Sequence, residues 1–219
     1  MGLENNKEAF DIIGDNHIGT SSETPMRDDA FKLNESEKIR LIKQDVQNIM
    51  NTLGLDLTDD SLKGTPNRVA KMFVNEIFGG LDPQKKPKAS TFENKYQYGE
   101  MLVEKNITVY STCEHHFLPI VGRAHVAYIS NGTVVGLSKM NRIVDYFSKR
   151  PQVQERLTIQ IVKELQRVLN TNDVACVIDA KHLCVNSRGI KDIDSSTVTA
   201  EFGGKFKEKD TKQEFLEYL

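Results

Sequence analysis

The sequence predicts an α+β chain in which a helical N-terminal region precedes a domain of largely antiparallel strands with helices on one face. Three observations predict it. Apolar residues recur at three- and four-residue steps from Ile39 to Leu53 and from Val69 to Ile77. The pattern changes to strand-like alternation beyond residue 100, and β character returns after two later helical stretches.

Taken in order, residues 1–33 carry Gly, Ser, Thr, Asp and Asn with little apolar periodicity and read as a flexible arm, with His17 a lone surface group. Asn34 can cap a helix while Glu37 reaches back to the cap, with Leu33 as a staple. Ile39, Ile42, Val46, Ile49 and Leu53 form its apolar stripe, and Gly54 stops it. A second helix opens at Thr65-Pro66, buries Val69, Phe73 and Ile77, and ends at Gly79-Gly80. Residues 81–100 read as a linker, so the helical region spans 34–98 and the larger domain 99–219.

In that domain Ile107, Val109 and Ser111 alternate with Thr108 and Tyr110, and Arg123 to Ser130 forms a β-run. Asn131-Gly132 signals a hairpin with Thr133 to Leu137 as its return strand. Helices are expected over Ser138 to Ser148 and Gln152 to Asn170, the second striped by Leu157, Ile161, Leu165 and Val168. Val174 to Val185 and Ser196 to Phe202 are β, and the Lys205 to Lys212 charge run is a solvated tail connection.

Composition narrows the function. With 29 Lys and Arg against 31 Asp and Glu the net charge is -2, so no global basic field favours a nucleic acid or membrane partner. Three cysteines are too few for a disulfide framework and suit a reducing compartment. Met1 to Asp11 is acidic and polar where a signal peptide is basic then apolar, and no apolar run approaches the roughly 20 residues of a membrane span, so a cytoplasmic protein is expected.

Cys113-Glu114-His115-His116 follows a strand, where side chains can converge on a ligand. Downstream, His182 and Cys184 are two apart in an expected extended run, leaving one face about 6–7 Å apart. If the segments meet, two thiolates and an imidazole can bind Zn²⁺ with a fourth position open, as in catalytic sites; a structural site would draw on His115 or His182 as fourth ligand. Spacing alone leaves both open, along with inert buried thiols. Cys176 reads as a core residue and His125 as a surface or hydrogen-bonded group.

Ser138-Lys139 opens a helix after a strand, with Arg142 one turn on, so a hydroxyl, a helix N-terminus and two cations can meet phosphate oxygens. Arg188, Arg68 and Lys71 are further candidate cations. Gln154 and Glu155 stand in the first turn of the long helix, where a carboxylate can accept two N–H bonds from a guanine edge.

Together, Ser111-Thr112-Cys113-Glu114-His115-His116, Gly136-Leu137-Ser138-Lys139, Arg150 to Arg156 and His182 to Gly189 resemble GTP cyclohydrolase I, from about Asn34 to the C-terminus. The resemblance implies a tunnelling fold in a homodecamer of two stacked pentamers with active sites at subunit interfaces. It also implies zinc on Cys113, His116 and Cys184, and conversion of GTP to 7,8-dihydroneopterin triphosphate with formate released. His115 is similar to the family's acid at N7 and His182 to its second catalytic histidine. Gln154 and Glu155 match the guanine anchor; Ser138, Lys139, Arg142 and Arg188 match the triphosphate site, and Arg68 and Lys71 look like a neighbouring subunit's contribution. The competing expectations are another tunnelling-fold pterin or deazapurine enzyme, and a non-catalytic, zinc-stabilised assembly module.

Overall fold

The computed structural model describes residues 20–88 and 90–219. Helix α1, Glu35–Thr52, begins where the sequence places it: the Asn34 side chain accepts from the Glu37 amide at 3.0 Å and the Asn34 amide donates to Glu37 at 2.9 Å. This reciprocal pair satisfies two backbone donors that a helix start otherwise leaves open. Helix α2, Thr65–Met72, packs on α1 and runs into a π-turn, Phe73–Ile77, and a 3₁₀ turn, Gly79–Leu81. Gly80 ties this helical region to the rest of the chain. A Cβ there would lie 2.0 Å from the Tyr146 carbonyl, and the backbone approaches closely enough for its amide to donate to Lys149 O at 2.9 Å. The Arg150 guanidinium, stacked on Tyr146 and Phe147, donates to its carbonyl at 2.8 Å.

The remaining strands are β1 (Thr91–Glu93), β2 (Met101–Cys113), β3 (Pro119–Ile129), β4 (Thr133–Val135), β5 (Pro151–Gln152), β6 (Val174–His182) and β7 (Thr197–Phe202). Five form a sheet in the order β5-β2-β3-β6-β7, antiparallel except for the short β2–β5 contact. Helices α3, Leu137–Ser148, and α4, Gln154–Leu169, cover one face. Their Met140, Ile143, Phe147, Leu157, Ile161 and Leu165 bury against Val109, Ile120, Val126, Cys176 and Ile178, which gives Cys176 its expected core position. A bulge between Glu104 and Ile107, with Asn106 at φ 59°, switches which β2 side chains face this core, so Met101 points to the opposite face and Ile107 inward.

Two expectations are corrected. The Thr133 strand does not return along β3, because β2 and β6 already occupy both of its edges; β4 pairs with β1 instead, inside the expected linker. The tail from Lys205 is not merely solvated: a 3₁₀ turn, Gly204–Lys207, and a C-terminal helix after the short turn Leu183–Asn186 (α5), namely α6, Lys209–Glu217, bury Phe206 and Phe215 on the sheet's second face against Met101, Ala127 and Val177. The charges hide this, since Phe206 is flanked by lysines and Phe215 follows a run of polar and charged residues. Within the expected arm, the Ser21 carbonyl and the Glu23 carboxylate accept from the α4 side chains of Arg156 and Gln160; His17 and residues 1–19 lie outside the described residues. His125 is partly buried, and burial, assisted by Lys105, lowers its pKa. Truncating the anchor, Phe215→Ala, is expected to cost about 3–5 kcal/mol of unfolding free energy by loss of a buried ring, read by chemical denaturation.

Candidate metal centre and active site

Two strands end together to make the site. The last β3–β6 pair is Ile120 with His182, because β3 opens at Pro119, which has no amide to extend the ladder. Beyond it the chain turns into α5, held by the Ser187 amide on Leu183 O at 2.9 Å. The expected extended run through Cys184 is therefore broken, and His182 and Cys184 do not share a strand face. On the other side β2 ends at Cys113. Its amide donates to Leu118 O at 2.8 Å, the Phe117 amide returns to Cys113 O at 2.9 Å, and Phe117 adopts φ 53°. This tight loop projects His115 and His116 outward.

The fold brings Cys113, His116 and Cys184 together, with one ligand atom from each all within 4.8 Å of one another. Cys113 is buried, Cys184 partly so and His116 exposed. Burial pushes the Cys184 thiol up to about 11, and the hydrogen bond and charge of Cys113 push the same way. Ionising such a thiol beside a second sulfur is unfavourable without a cation, and a divalent ion removes that penalty. Two sulfurs and an imidazole, with no further protein ligand in the cluster among the described residues, fit zinc with an open position. The Arg188 guanidinium lies 2.8 Å from His116 Nε2.

His182 and Gln154 form the second part. Gln154 is 1% exposed, and its amide nitrogen donates to Ile178 O at 3.1 Å, Thr197 O at 2.8 Å and Thr199 Oγ1 at 3.1 Å. Because two backbone carbonyls face that nitrogen, its oxygen must face His182, whose Nε2 lies 2.8 Å away. An amide oxygen only accepts, so Nε2 carries the proton and Nδ1 keeps a lone pair. Burial lowers the His182 pKa, and Glu155 pulls it back up. His115 lies with Nδ1 3.8 Å from the Cys113 sulfur and Nε2 3.9 Å from Glu114.

The structure thus gathers Cys113, His115, His116, His182, Cys184, Glu155 and Arg188 at one end of the sheet. Gln154 belongs there too, but its amide is engaged within the chain and supports His182 from behind. Glu155 is exposed in the first turn of α4, beside a groove of about 470 Å³ that Arg156 and Ser21 also line. Ser138, Lys139 and Arg142 stand elsewhere. They follow the far end of β3, whose 11 residues span roughly 35 Å, and Lys139 and Arg142 line a basic cleft with Lys85, Lys88 and Lys149. Arg68 and Lys71 are exposed on α2, where Arg68 donates to Ser61 O and Thr65 at 3.1 Å. Sequence reasoning assigned no role to Arg156, which is 4% exposed and grips Glu114 at 2.6 and 3.3 Å. Separated by 42 positions, the pair leaves no local signal.

The fold and site define a class: an α+β protein whose sheet ends in a metal-competent Cys–His–Cys centre flanked by two further histidines. The chain belongs to the GTP cyclohydrolase I family, whose model matches residues 42–219. It is 74% identical over 215 residues to GTP cyclohydrolase 1 of Flavobacterium johnsoniae, covering 98% of this chain and 96% of that one. The Aeromonas salmonicida relative is 55% identical over 195 residues (89% and 88% covered), and that of Klebsiella pneumoniae 51% over 211 residues (96% and 95%). A solved archaeosine synthase QueF-like chain aligns with 48% of this chain at TM-score 0.40 and 16% identity. The chain is an enzyme of the cyclohydrolase family, and among its described residues no helix is long and apolar enough to cross a membrane.

Because the Cys184 thiol is neutral near pH 7 without a cation, zinc uptake is expected to release at least one proton per ion. A titration in weakly buffered indicator dye reads it, and Cys184→Ser is expected to lose both the proton release and stoichiometric zinc.

Proposed function

We propose that the protein hydrolyses and rearranges GTP to 7,8-dihydroneopterin triphosphate, releasing formate, with zinc held by Cys113, His116 and Cys184. The observation that carries this reading is the convergence of that cluster with His115 and His182 at one sheet end. A bound zinc ion there would supply Lewis acidity that makes water reactive near neutral pH.

The chain's own residues do the rest. Glu155, exposed beside His182, accepts the two N–H groups of the guanine edge and orients the base. His115 gives a proton to N7, so that electrons displaced from C8 rest on a neutral nitrogen. His182 keeps its Nε2 proton on Gln154 and exchanges protons at Nδ1 as the ring opens and the ribose rearranges. Arg188 meets the triphosphate from the same end of the sheet.

Ser138, Lys139 and Arg142 cannot reach the same triphosphate from their own chain's far end of β3, which supports a site completed by neighbouring copies. Arg68 and Lys71, on the appended helices, contribute likewise. The assembly proposed is a decamer of two stacked pentamers, which also pairs the β7 edge and the length of β2 that β5 does not cover.

Incubation with GTP and zinc is expected to yield formate and, after oxidation, fluorescent neopterin; an unchanged GTP spectrum would rule the reading out. His115→Ala is expected to lower turnover about 10²–10⁴-fold with zinc retained, and full activity in that variant would instead indicate a structural metal. Mixed oligomers of His115→Ala and Lys139→Ala chains, each inactive alone, are expected to recover roughly a quarter of parental activity at random mixing, read by formate release.

A further inference from the structure

Two separate hydrogen-bond chains run from the N-terminal segment to one residue of the site loop. In the first, the Ser21 carbonyl accepts from Arg156 Nε at 2.8 Å, and the same guanidinium holds both Glu114 carboxylate oxygens. In the second, Glu23 accepts from Gln160 Nε2 at 2.7 Å, Gln160 Oε1 accepts from Gln152 Nε2 at 2.9 Å, and the Gln152 carbonyl accepts the Glu114 amide at 3.0 Å. Side chain and backbone of Glu114, the residue between Cys113 and His115, are therefore both fixed from Ser21 and Glu23.

The links are built into the interior. Gln152, Gln160 and Arg156 are 0%, 3% and 4% exposed, so an interrupted link leaves a buried donor unpaired. Among the described residues Gln152 Oε1 has no partner. The apolar face of α4 packs independently of these contacts through Leu157, Ile161 and Leu165. Loosening the segment therefore disturbs the loop without opening the core.

We propose that Ser21 to Glu23 is a positioning strap that, through Arg156 and the Gln160–Gln152 relay, holds Glu114 and so sets His115 and His116 in their working arrangement. This rests on the role given to His115 above. Glu23, Arg156, Gln160, Gln152 and Glu114 are positioning residues; none of them reacts.

The test uses full-length, zinc-loaded protein. Glu23→Ala is expected to lower kcat about tenfold with KM for GTP within about twofold, as for losses behind a metal site. Glu23→Gln keeps an oxygen that accepts from Gln160, and is expected to stay within about twofold of the parent. Arg156→Lys, a point charge that cannot span Glu114 and the Ser21 carbonyl together, is expected to lower kcat similarly with zinc content unchanged. Hydrogen exchange at the Glu114 and Phe117 amides requires no turnover and is expected to be several-fold faster in Glu23→Ala. Parental exchange in Glu23→Ala, a parental kcat, or equal losses in the Ala and Gln variants would each overturn the strap. If the parent itself fails to turn over GTP, the proposed activity falls, and exchange alone decides whether the strap holds the loop.

Discussion

The register across β2, β3 and β6 is the constraint on which the rest of the site depends. Thr112 opposite Pro119 and Ile120 opposite His182 are the last pairs of their ladders, and Pro119 cannot donate a hydrogen bond to extend either. Two strands that would otherwise continue therefore stop at one end of the sheet and hand their chains to a loop and a helical turn. Cys113, His115 and His116 leave from the first, and His182 and Cys184 from the second. A one-residue slip in either ladder would turn these side chains to the opposite face.

The buried Gln154 amide stiffens this arrangement. It joins the start of α4 to β6 and β7 and at the same time fixes the tautomer of His182. A residue of this kind is hard to replace, since a shorter or charged side chain would strand buried carbonyl groups. Its neighbour Glu155 is exposed, so consecutive positions on one helix start serve opposite needs: one faces the interior and orients His182, the other faces the groove. Length explains the remaining separation. Cations at the beginning of α3 follow the far end of β3, away from the cluster of Cys113, His116 and Cys184.

Much of this was legible in the sequence, and the exceptions share a cause. The Asn34–Glu37 cap and the start of α1, the stripe of α4, and the strand alternation around Val109 depend on residues a few positions apart, so they are legible in the sequence, whereas the α1 stripe leaves Ile49 and Leu53 exposed and buries Met50 instead. The Asn131-Gly132 turn was legible too, with Gly132 at φ 85°, but its partner was not, because the occupancy of both β3 edges is a property of the whole sheet. The sequence pattern carries Cys184 on a strand, but that strand ends two residues earlier for want of a partner at Pro119. Nothing in the sequence marks Phe206 and Phe215 as core, because their burial comes from the far face of the sheet and not from any periodicity around them.

By itself the sequence determined the α+β class, the order of most elements, and the residue types able to hold a metal and move protons, since these follow from local spacing and side-chain chemistry. The tertiary structure alone decided which of them meet. It joined Cys113 to a Cys184 lying 71 positions away, turned Gln154 inward behind His182, and drew Ser21 and Glu23 onto the network that ends at Glu114. Contacts between residues so distant in the chain are fixed by sheet register and by the need to satisfy buried polar groups, and neither is written in any short stretch of sequence.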